Sequence, residues 1–265
     1  MKPAPFDYRA PASVDETLPL LGLDSAVLAG GQSLVPLLNL RLARPELVVD
    51  INGVTELDYV REDDGALRIG AMTRQVALER SELVSERWPL LHKAVELVGH
   101  PQIRARGTVG GSVVHADPAA ELPVALTALG ARFHLRSADG ARALGAAEWF
   151  KGALYTAREP QELLVEIELP AESADARSGF AEHARTHGDF ATAGAAAVRF
   201  RDGGAALVLL GAGDVPARAE AAERALAGGA APREAAALAA RDVAGDHRRA
   251  LCAELARRAI EEATA

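Results

Sequence analysis

The chain has 265 residues, of which 49% are hydrophobic and 25% charged, and its formal net charge is −8. This composition is typical of a globular protein with one large domain or two modest ones. The acidic balance argues against nonspecific binding to nucleic acid or to anionic membranes, because both require basic surfaces. The single cysteine, Cys252, excludes an internal disulfide and a cysteine-ligated zinc or iron–sulfur site supplied by this chain alone.

The same features predict a reducing, cytoplasmic location. Residues 1–6 contain no apolar signal-peptide core, and no apolar run approaches the roughly 20 residues that cross a bilayer. We therefore expect no transmembrane segment. Any association with the inner face of the membrane would come through a larger complex.

The first half of the chain begins with a compact β-α-β pattern. A strand is predicted at 26–29, then a glycine turn, a helix from an N-cap at Ser33 to about Leu40, and a strand at 47–50. This unit is too short for a full doubly wound dinucleotide fold. Residues 57–71 then predict a hairpin.

The hairpin is predicted to turn at residues 63–65, and Thr73 is placed to cap the next helix. A further helix is predicted at 88–98, ended by Gly99, His100 and Pro101. Residues 102–112 show little periodicity, which predicts a long ordered loop. A helix at 119–129, capped by Gly130, follows. The next predicted elements are strands at 131–136 and 163–169 and a short helix at 146–151.

The polar segment 170–178 predicts a domain boundary. Beyond it the pattern indicates an antiparallel sheet followed by helices, with a turn at 201–204. The predicted strands are 179–184, 193–200 and 205–210, and the predicted helices are 217–227, 232–240 and 246–262.

Two glycine loops, at 29–33 and 108–112, are the first indication of a ligand. Glycine allows close backbone approach, and consecutive N–H groups at a helix N-terminus favour an anion. Two such loops, about eighty residues apart, could clamp a pyrophosphate from two sides. A lone Gly-Gly pair is more often a tight turn, and neither a GxGxxG fingerprint nor a P-loop lysine is present.

The side chains near the second loop allow functional and structural interpretations. Asp117 accepts hydrogen bonds from ribityl or ribose hydroxyls, or it caps a helix that begins near Pro118. Glu121 is expected to be a first-turn acid favoured by the helix dipole. His100 and His115 are not expected to form a metal or acid–base pair, because nothing fixes their separation.

Two arginines and one phenylalanine also allow two interpretations each. Arg104 and Arg106 are expected to face solvent or another subunit, with long-range attraction of phosphate as the alternative. Phe190 covers an aromatic ring system or belongs to the core, and periodicity favours the core.

The chain resembles the FAD-binding medium subunit of molybdenum hydroxylases, the family of carbon monoxide dehydrogenase and of the flavin domain of xanthine dehydrogenase. The order and spacing of the matching segments extend over nearly the whole chain, which makes the combination far more specific than either loop. The segments are 28–36 (LAGGQSLVP), 45–51 (PELVVDI), 102–112 (QIRARGTVGGS), 115–123 (HADPAAELP), 162–167 (ELLVEI) and 188–191 (GDFA).

The resemblance implies an α+β fold in which two α/β subdomains sandwich FAD, as in the vanillyl-alcohol oxidase type. A C-terminal domain with a three-stranded antiparallel sheet and helices would follow. The implied FAD-binding domain is 1–175, with its subdomain boundary near 52–56, and the implied C-terminal domain is 176–265.

The resemblance also implies which residues meet FAD. Both loops would bind the pyrophosphate, aided by two hydroxyls, while Asp117 would meet the ribityl chain and Leu163 and the 189–190 segment would border the isoalloxazine. The implied contacts are Leu28, Ala29, Gly30, Gly31, Gln32, Ser33, Leu34, Thr108, Val109, Gly110, Gly111, Ser112, Asp117, Leu163, Asp189 and Phe190. No catalytic residue and no metal site is expected in this chain.

Three positions depart from the family pattern. Ala105 and Ser112 stand where Asn is common, and Phe190 stands where Tyr or Trp is frequent. The first two affect loop rigidity or one phosphate contact, and the third removes a polar group near the flavin. None removes backbone donors, so FAD binding is still expected.

The implied function is electron transfer. A large molybdenum subunit would oxidise the substrate, a small 2Fe-2S subunit would carry the electrons, and FAD here would pass them to an external acceptor. The implied assembly is a dimer of heterotrimers. The alternatives are a self-sufficient flavin oxidase or reductase, because fold does not determine function, and a noncatalytic nucleotide-binding subunit.

Overall fold

The structure is a computed structural model that describes residues 2–186 and 188–265. It begins with a three-stranded parallel sheet of order β1-β3-β2. The predicted β-α-β unit is confirmed, and the short elements β1 and α1 that precede it were not predicted. The elements of this region are β1 (Asp7–Arg9), α1 (Val14–Thr17), β2 (Ser25–Leu28), α2 (Leu34–Asn39) and β3 (Leu47–Asp50).

A five-stranded antiparallel sheet of order β4-β5-β10-β6-β7 forms the centre of the molecule. The predicted hairpin is confirmed: Asp64 and Gly65 have φ of 50° and 81°, the left-handed geometry that tight hairpin turns require. The strands are β4 (Val60–Asp63), β5 (Ala66–Gly70), β6 (Arg132–Ser137), β7 (Gly140–Gly145) and β10 (Leu163–Leu169), beside a separate pair, β8 (Phe150–Gly152) and β9 (Tyr155–Thr156).

Short helices pack against this sheet and bury its apolar side chains, including Leu67, Ile69 and Phe133. All eight residues of α8 are buried. The helices are α3 (Gln75–Glu79), α4 (Glu82–Arg87), α5 (Pro89–Leu97), α6 (Pro101–Arg106), α7 (Val109–His115), α8 (Glu121–Ala128) and α9 (Ala146–Trp149).

The prediction of a long loop at 102–112 is wrong, because α6 and α7 occupy it. Each is too short to show a clear 3.6-residue period, but their start signals are present: Pro101 opens α6, and the Thr108 hydroxyl accepts from the N–H of Gly111 at 3.1 Å. Thr73 is not a cap either, since its hydroxyl donates to the carbonyl of Tyr59 at 2.8 Å.

The C-terminal part contains an antiparallel sheet of order β11-β12-β13-β14. The three predicted strands are confirmed, while residues 217–218 form a short fourth strand instead of starting a helix. The elements are β11 (Arg177–His183), β12 (Ala193–Arg199), β13 (Ala205–Leu210), β14 (Ala217–Arg218), α10 (Glu220–Ala227), α11 (Pro232–Ala239) and α12 (Asp246–Thr264).

The two faces of this second sheet have different partners. One face, which includes Ala195 and Leu207, packs against the C-terminal helices, and Gly179 allows α12 to approach the sheet closely. The other face, which includes Val198 and Val208, joins the core of the five-stranded sheet. The boundary near 170–178 stays a prediction.

No helix in the described part of the chain has the length and hydropathy needed to cross a membrane.

Candidate cofactor-binding site

The two glycine loops lie against each other. A Cβ atom on Gly30 would lie 2.5 Å from the carbonyl oxygen of Arg106, 2.8 Å from Cα of Gly107 and 3.0 Å from the nitrogen of Thr108. These are backbone atoms, which cannot swing aside as a flexible side chain can. Glycine is therefore required at position 30 for the loops to meet.

The first loop carries the free donors. The N–H groups of residues 30–33 donate to no acceptor within the described residues, and Gly31 has a φ of 73°. The Gln32 amide donates to the carbonyl of Gly30 at 2.9 Å, which tightens the turn. Consecutive free N–H groups around a left-handed residue form a concavity that suits phosphate oxygens. Ser33 is the residue before α2, but its side chain makes no capping bond.

The second loop offers fewer free backbone donors than predicted. The N–H groups of Gly110, Gly111 and Ser112 already donate to the Ala71 carbonyl and to Thr108, at 3.0–3.1 Å. The expectation that residues 110–112 offer a second set of free backbone donors is therefore wrong. Gly110 serves packing, because a Cβ there would lie 2.6 Å from the carbonyl oxygen of Ala71.

Thr108 is the one residue of the second loop whose N–H remains free among the described residues, beside Gly30. The site thus combines close backbone approach with free N–H groups on both loops. These are the properties that bound pyrophosphate needs when no lysine is present. The residues fit the diphosphate of a dinucleotide.

Two side chains that the sequence did not single out join the loops. Asn52 donates to the carbonyl of Ala29 at 2.9 Å, and Arg74 donates to the carbonyl of Arg106 at 2.5 Å. Neither belongs to a recognisable motif. Only the tertiary structure brings them between the loops.

Asp117 does not cap a helix. Its Oδ1 accepts from the N–H of Ala119 at 2.9 Å, closing a turn, and α8 starts only at Glu121 after Ala120. Ala116 before it is left-handed, with a φ of 51°. The Oδ2 atom of Asp117 accepts no hydrogen bond within the described residues, so it is available to a ligand hydroxyl.

Glu121 lies in the first turn of α8 as predicted, but its side chain is buried, with 5% of the residue exposed. Burial raises the pKa of Glu121 to about 8, and the nearby Glu182 and Asp117 add to this effect. Burial also raises the pKa of Glu182 to about 7, and its Oε2 atom has no hydrogen-bond partner in the described structure. At neutral pH Glu121 therefore favours the protonated form, while Glu182 is divided between its two forms.

We expect Glu121→Gln to change how stability depends on pH. Because the folded-state pKa lies above the ordinary 4.5, the native state holds its proton more tightly, so stability is full below pH 4.5 and falls as pH rises toward 8. At about 1.4 kcal/mol per pKa unit, the loss reaches at most about 5 kcal/mol. Between pH 5 and 8, the free energy of unfolding measured in urea should fall less steeply for Glu121→Gln than for wild type.

The matched control is Glu234→Gln, which changes an exposed first-turn acid of α11. It should reproduce the wild-type pH profile. A Glu121→Gln profile parallel to wild type would contradict the proton-holding role of the buried carboxyl.

The segment around Phe190 lies at the surface. Phe190 is 68% exposed, so its assignment to the core is wrong, and Asp189 is also exposed. Gly188, with a φ of 81°, lies directly against the ring of His100, where any Cβ would clash. Leu163 is buried among residues of the N-terminal sheet unit and Met72.

The two arginines in the last turn of α6 differ. Arg106 is exposed, as predicted, but Arg104 is buried and its solvent-facing assignment is wrong. Arg104 forms a two-pronged ion pair with Glu79, at 2.8 and 2.9 Å, which holds the pKa of Glu79 below its usual range. It also donates to the carbonyls of Val98 and Gly99.

One cluster has the composition of a metal site. His134, Glu166 and Glu168 bring possible ligand atoms within 4.8 Å of one another. Arg68 donates to both carboxylates, at 2.7 and 3.1 Å, and so already supplies the cation. The cluster is an ion-pair network on the sheet surface.

Comparisons with known proteins agree with this geometry. Residues 4–172 match the family model described as the FAD binding domain in molybdopterin dehydrogenase. The chain is 43% identical over 234 residues to the 6-hydroxypseudooxynicotine dehydrogenase complex subunit alpha of Paenarthrobacter nicotinovorans, covering 85% of this chain and 79% of that protein. It is 37% identical over 242 residues to the carbon monoxide dehydrogenase medium chain of Afipia carboxidovorans, covering 89% and 84%.

The likeness extends to solved structures. The fold matches a carbon monoxide dehydrogenase from Hydrogenophaga pseudoflava that lacks the Mo-pyranopterin moiety of the molybdenum cofactor, with a TM-score of 0.93 and 38% identity over 100% of this chain and 99% of that one. This confirms the predicted α+β class, and the relatives are subunits of dehydrogenases. The chain therefore belongs to the FAD-binding medium subunits of the molybdenum hydroxylases, a family of oxidoreductases, and its cofactor is FAD.

Proposed function

We propose that this chain is the electron-transfer flavoprotein of a molybdenum hydroxylase complex. It would accept electrons from iron–sulfur clusters on a small partner subunit and pass them to an external acceptor. A separate large subunit would carry the molybdenum cofactor and oxidise the substrate. Bound FAD supplies the chemistry that connects one-electron carriers to a one- or two-electron acceptor.

The observation that supports this proposal is the contact between Gly30 and residues 106–108. It brings Gly30 close to the free N–H of Thr108, which supports a pyrophosphate held by both loops. We assign the hydroxyls of Thr108 and Ser112 to further contacts with the same group. We also assign Leu28, Ala29, Leu34, Val109 and Gly110 to this part of the site.

The remaining predicted contacts extend the site along the cofactor. We assign the free carboxylate oxygen of Asp117 to the ribityl chain, and Leu163, Asp189 and Phe190 to the surroundings of the isoalloxazine. The exposure of Phe190 leaves its ring available to cover a flavin. The chain's role is to bind, orient and shield the cofactor, and no residue of it is assigned as catalytic acid or base.

The relatives' names support assembly with partners, since one is a complex subunit and another a medium chain. We propose a large molybdenum subunit and a small 2Fe-2S subunit, assembled as a dimer of heterotrimers on the cytoplasmic side. Within this chain, residues 1–175 would form the FAD-binding domain, divided near 52–56, and residues 176–265 the C-terminal domain.

Native purification from the source cell tests the proposal. We expect a flavin absorbance spectrum and, by mass spectrometry, a co-purifying molybdenum subunit and iron–sulfur subunit. A flavin-loaded chain that purifies alone and oxidises a small organic substrate would overturn it in favour of a self-sufficient flavoenzyme. A chain without flavin that takes up no FAD would instead favour a noncatalytic subunit.

A further inference from the structure

Asn52 links the first glycine loop to Arg74. Its Nδ2 donates to the carbonyl of Ala29 at 2.9 Å and to Oδ1 of Asp50 at 2.5 Å, while its Oδ1 accepts from Arg74 at 2.6 Å. This pattern uses both amide hydrogens and the amide oxygen. A flipped amide would place its oxygen against two acceptors, so only one orientation satisfies the network.

Arg74 links Asn52 to the second glycine loop. One terminal nitrogen donates to Asn52, and the other donates to the carbonyl of Arg106 at 2.5 Å. A planar guanidinium holds two such acceptors in fixed relative positions, which a flexible ammonium cannot do. The backbone on either side of Arg74 pairs with the same loop, through Gln75 to Gly107 and Val109 to Thr73.

The far end of this chain of bonds is anchored. Asp50, at the end of β3, accepts from the N–H of Asn52 at 2.9 Å, and its other oxygen accepts from the hydroxyl of Tyr8 at 2.5 Å. Bonds to Tyr8 and Asn52 outweigh burial and hold the pKa of Asp50 below its usual range. The carboxylate therefore stays charged and keeps Asn52 in place.

The bonded carbonyl of Ala29 belongs to the first loop, and that of Arg106 lies at the end of α6, two residues before the second loop. Carbonyl oxygens that turned toward the cradle would repel a phosphate. Because Asn52 and Arg74 engage these oxygens, the loops keep their donors free for an anion.

We propose that Asn52 and Arg74 form a bracket that sets the separation of the two glycine loops and thereby positions them for the FAD pyrophosphate. Both are positioning residues, and the inference rests on the proposed role of the loops. Each single break should remove the side-chain link between the loops, since the bracket is one continuous series of bonds.

FAD titration of the full chain, stripped of flavin, tests the bracket by calorimetry. Arg74→Met and Asn52→Ala should each weaken FAD binding about tenfold to a hundredfold, as expected for losing one or two charge-assisted hydrogen bonds. The double variant should lose no more than the stronger single variant. Arg80→Met, at the other end of α3, is the matched control and should bind as wild type.

Other outcomes separate the possible failures. If the losses of FAD affinity in the two single variants add up in the double variant, the two residues act independently and the bracket is overturned. Wild-type FAD affinity in Arg74→Met would also overturn it. Arg74→Lys keeps the positive charge but lacks the planar guanidinium with its two donors. Wild-type FAD affinity in this variant would assign the effect to charge alone and would also overturn the bracket. If the wild-type chain itself binds no FAD, the proposed role of the loops fails instead.

Discussion

Replacing Gly30 by alanine should weaken FAD binding by roughly a hundredfold, the largest effect we expect from any single added methyl group in this protein. The new Cβ would fall within 2.5–3.0 Å of three backbone atoms of residues 106–108. Forcing atoms into a packed site costs about 1–3 kcal/mol. Here the strain would separate the two loops to which we assign the pyrophosphate. FAD titration of the flavin-free chain measures the loss.

Two other glycines provide comparisons. Gly22→Ala is the matched control, because a Cβ there has no atom within 4 Å, and it should bind FAD as wild type. Gly111→Ala meets chiefly the Thr108 hydroxyl, at 2.6 Å, which can rotate away, so its effect should be smaller. Unchanged FAD affinity in Gly30→Ala would contradict the contact between the loops.

Arg104→Met should lower the free energy of unfolding by about 3 kcal/mol, the size expected when a buried ion pair loses one partner. The change leaves Glu79 without its two-pronged partner and removes the donors to Val98 and Gly99. For a domain of this size the melting temperature should fall by about 6–12 °C. Thermal unfolding with and without FAD measures it.

A double variant shows whether the pair is the cause. Glu79→Met combined with Arg104→Met removes both charges, and much of the lost stability should return because no buried charge is left unpaired. Arg106→Met, two residues along α6 and exposed, should have little effect on stability. A double variant that is as unstable as the sum of both single variants would show that coupling is absent.

Local features of the sequence were enough to predict several elements. The hairpin at Asp63–Gly65 was predictable because left-handed turns demand residues that tolerate positive φ. The C-terminal strands were predictable from apolar runs bounded by turns. Residues 102–112 were not, because α6 and α7 have six and seven residues and take their stability from packing rather than from propensity.

The sequence by itself determined the family and the cofactor, FAD, through the order of its segments, and it supplied the two glycine loops and Asp117 that we assign to the site. Tertiary structure alone decided how these parts act together. It buried Arg104 with Glu79, left Phe190 exposed, and set Asn52 and Arg74 between the loops. The type of a residue determines which bonds its side chain can make. The burial of that side chain and its bonding partners depend on segments that are distant in the chain. Gly30 shows the difference, since its sequence predicts close approach but only the fold shows that the neighbour is the second loop.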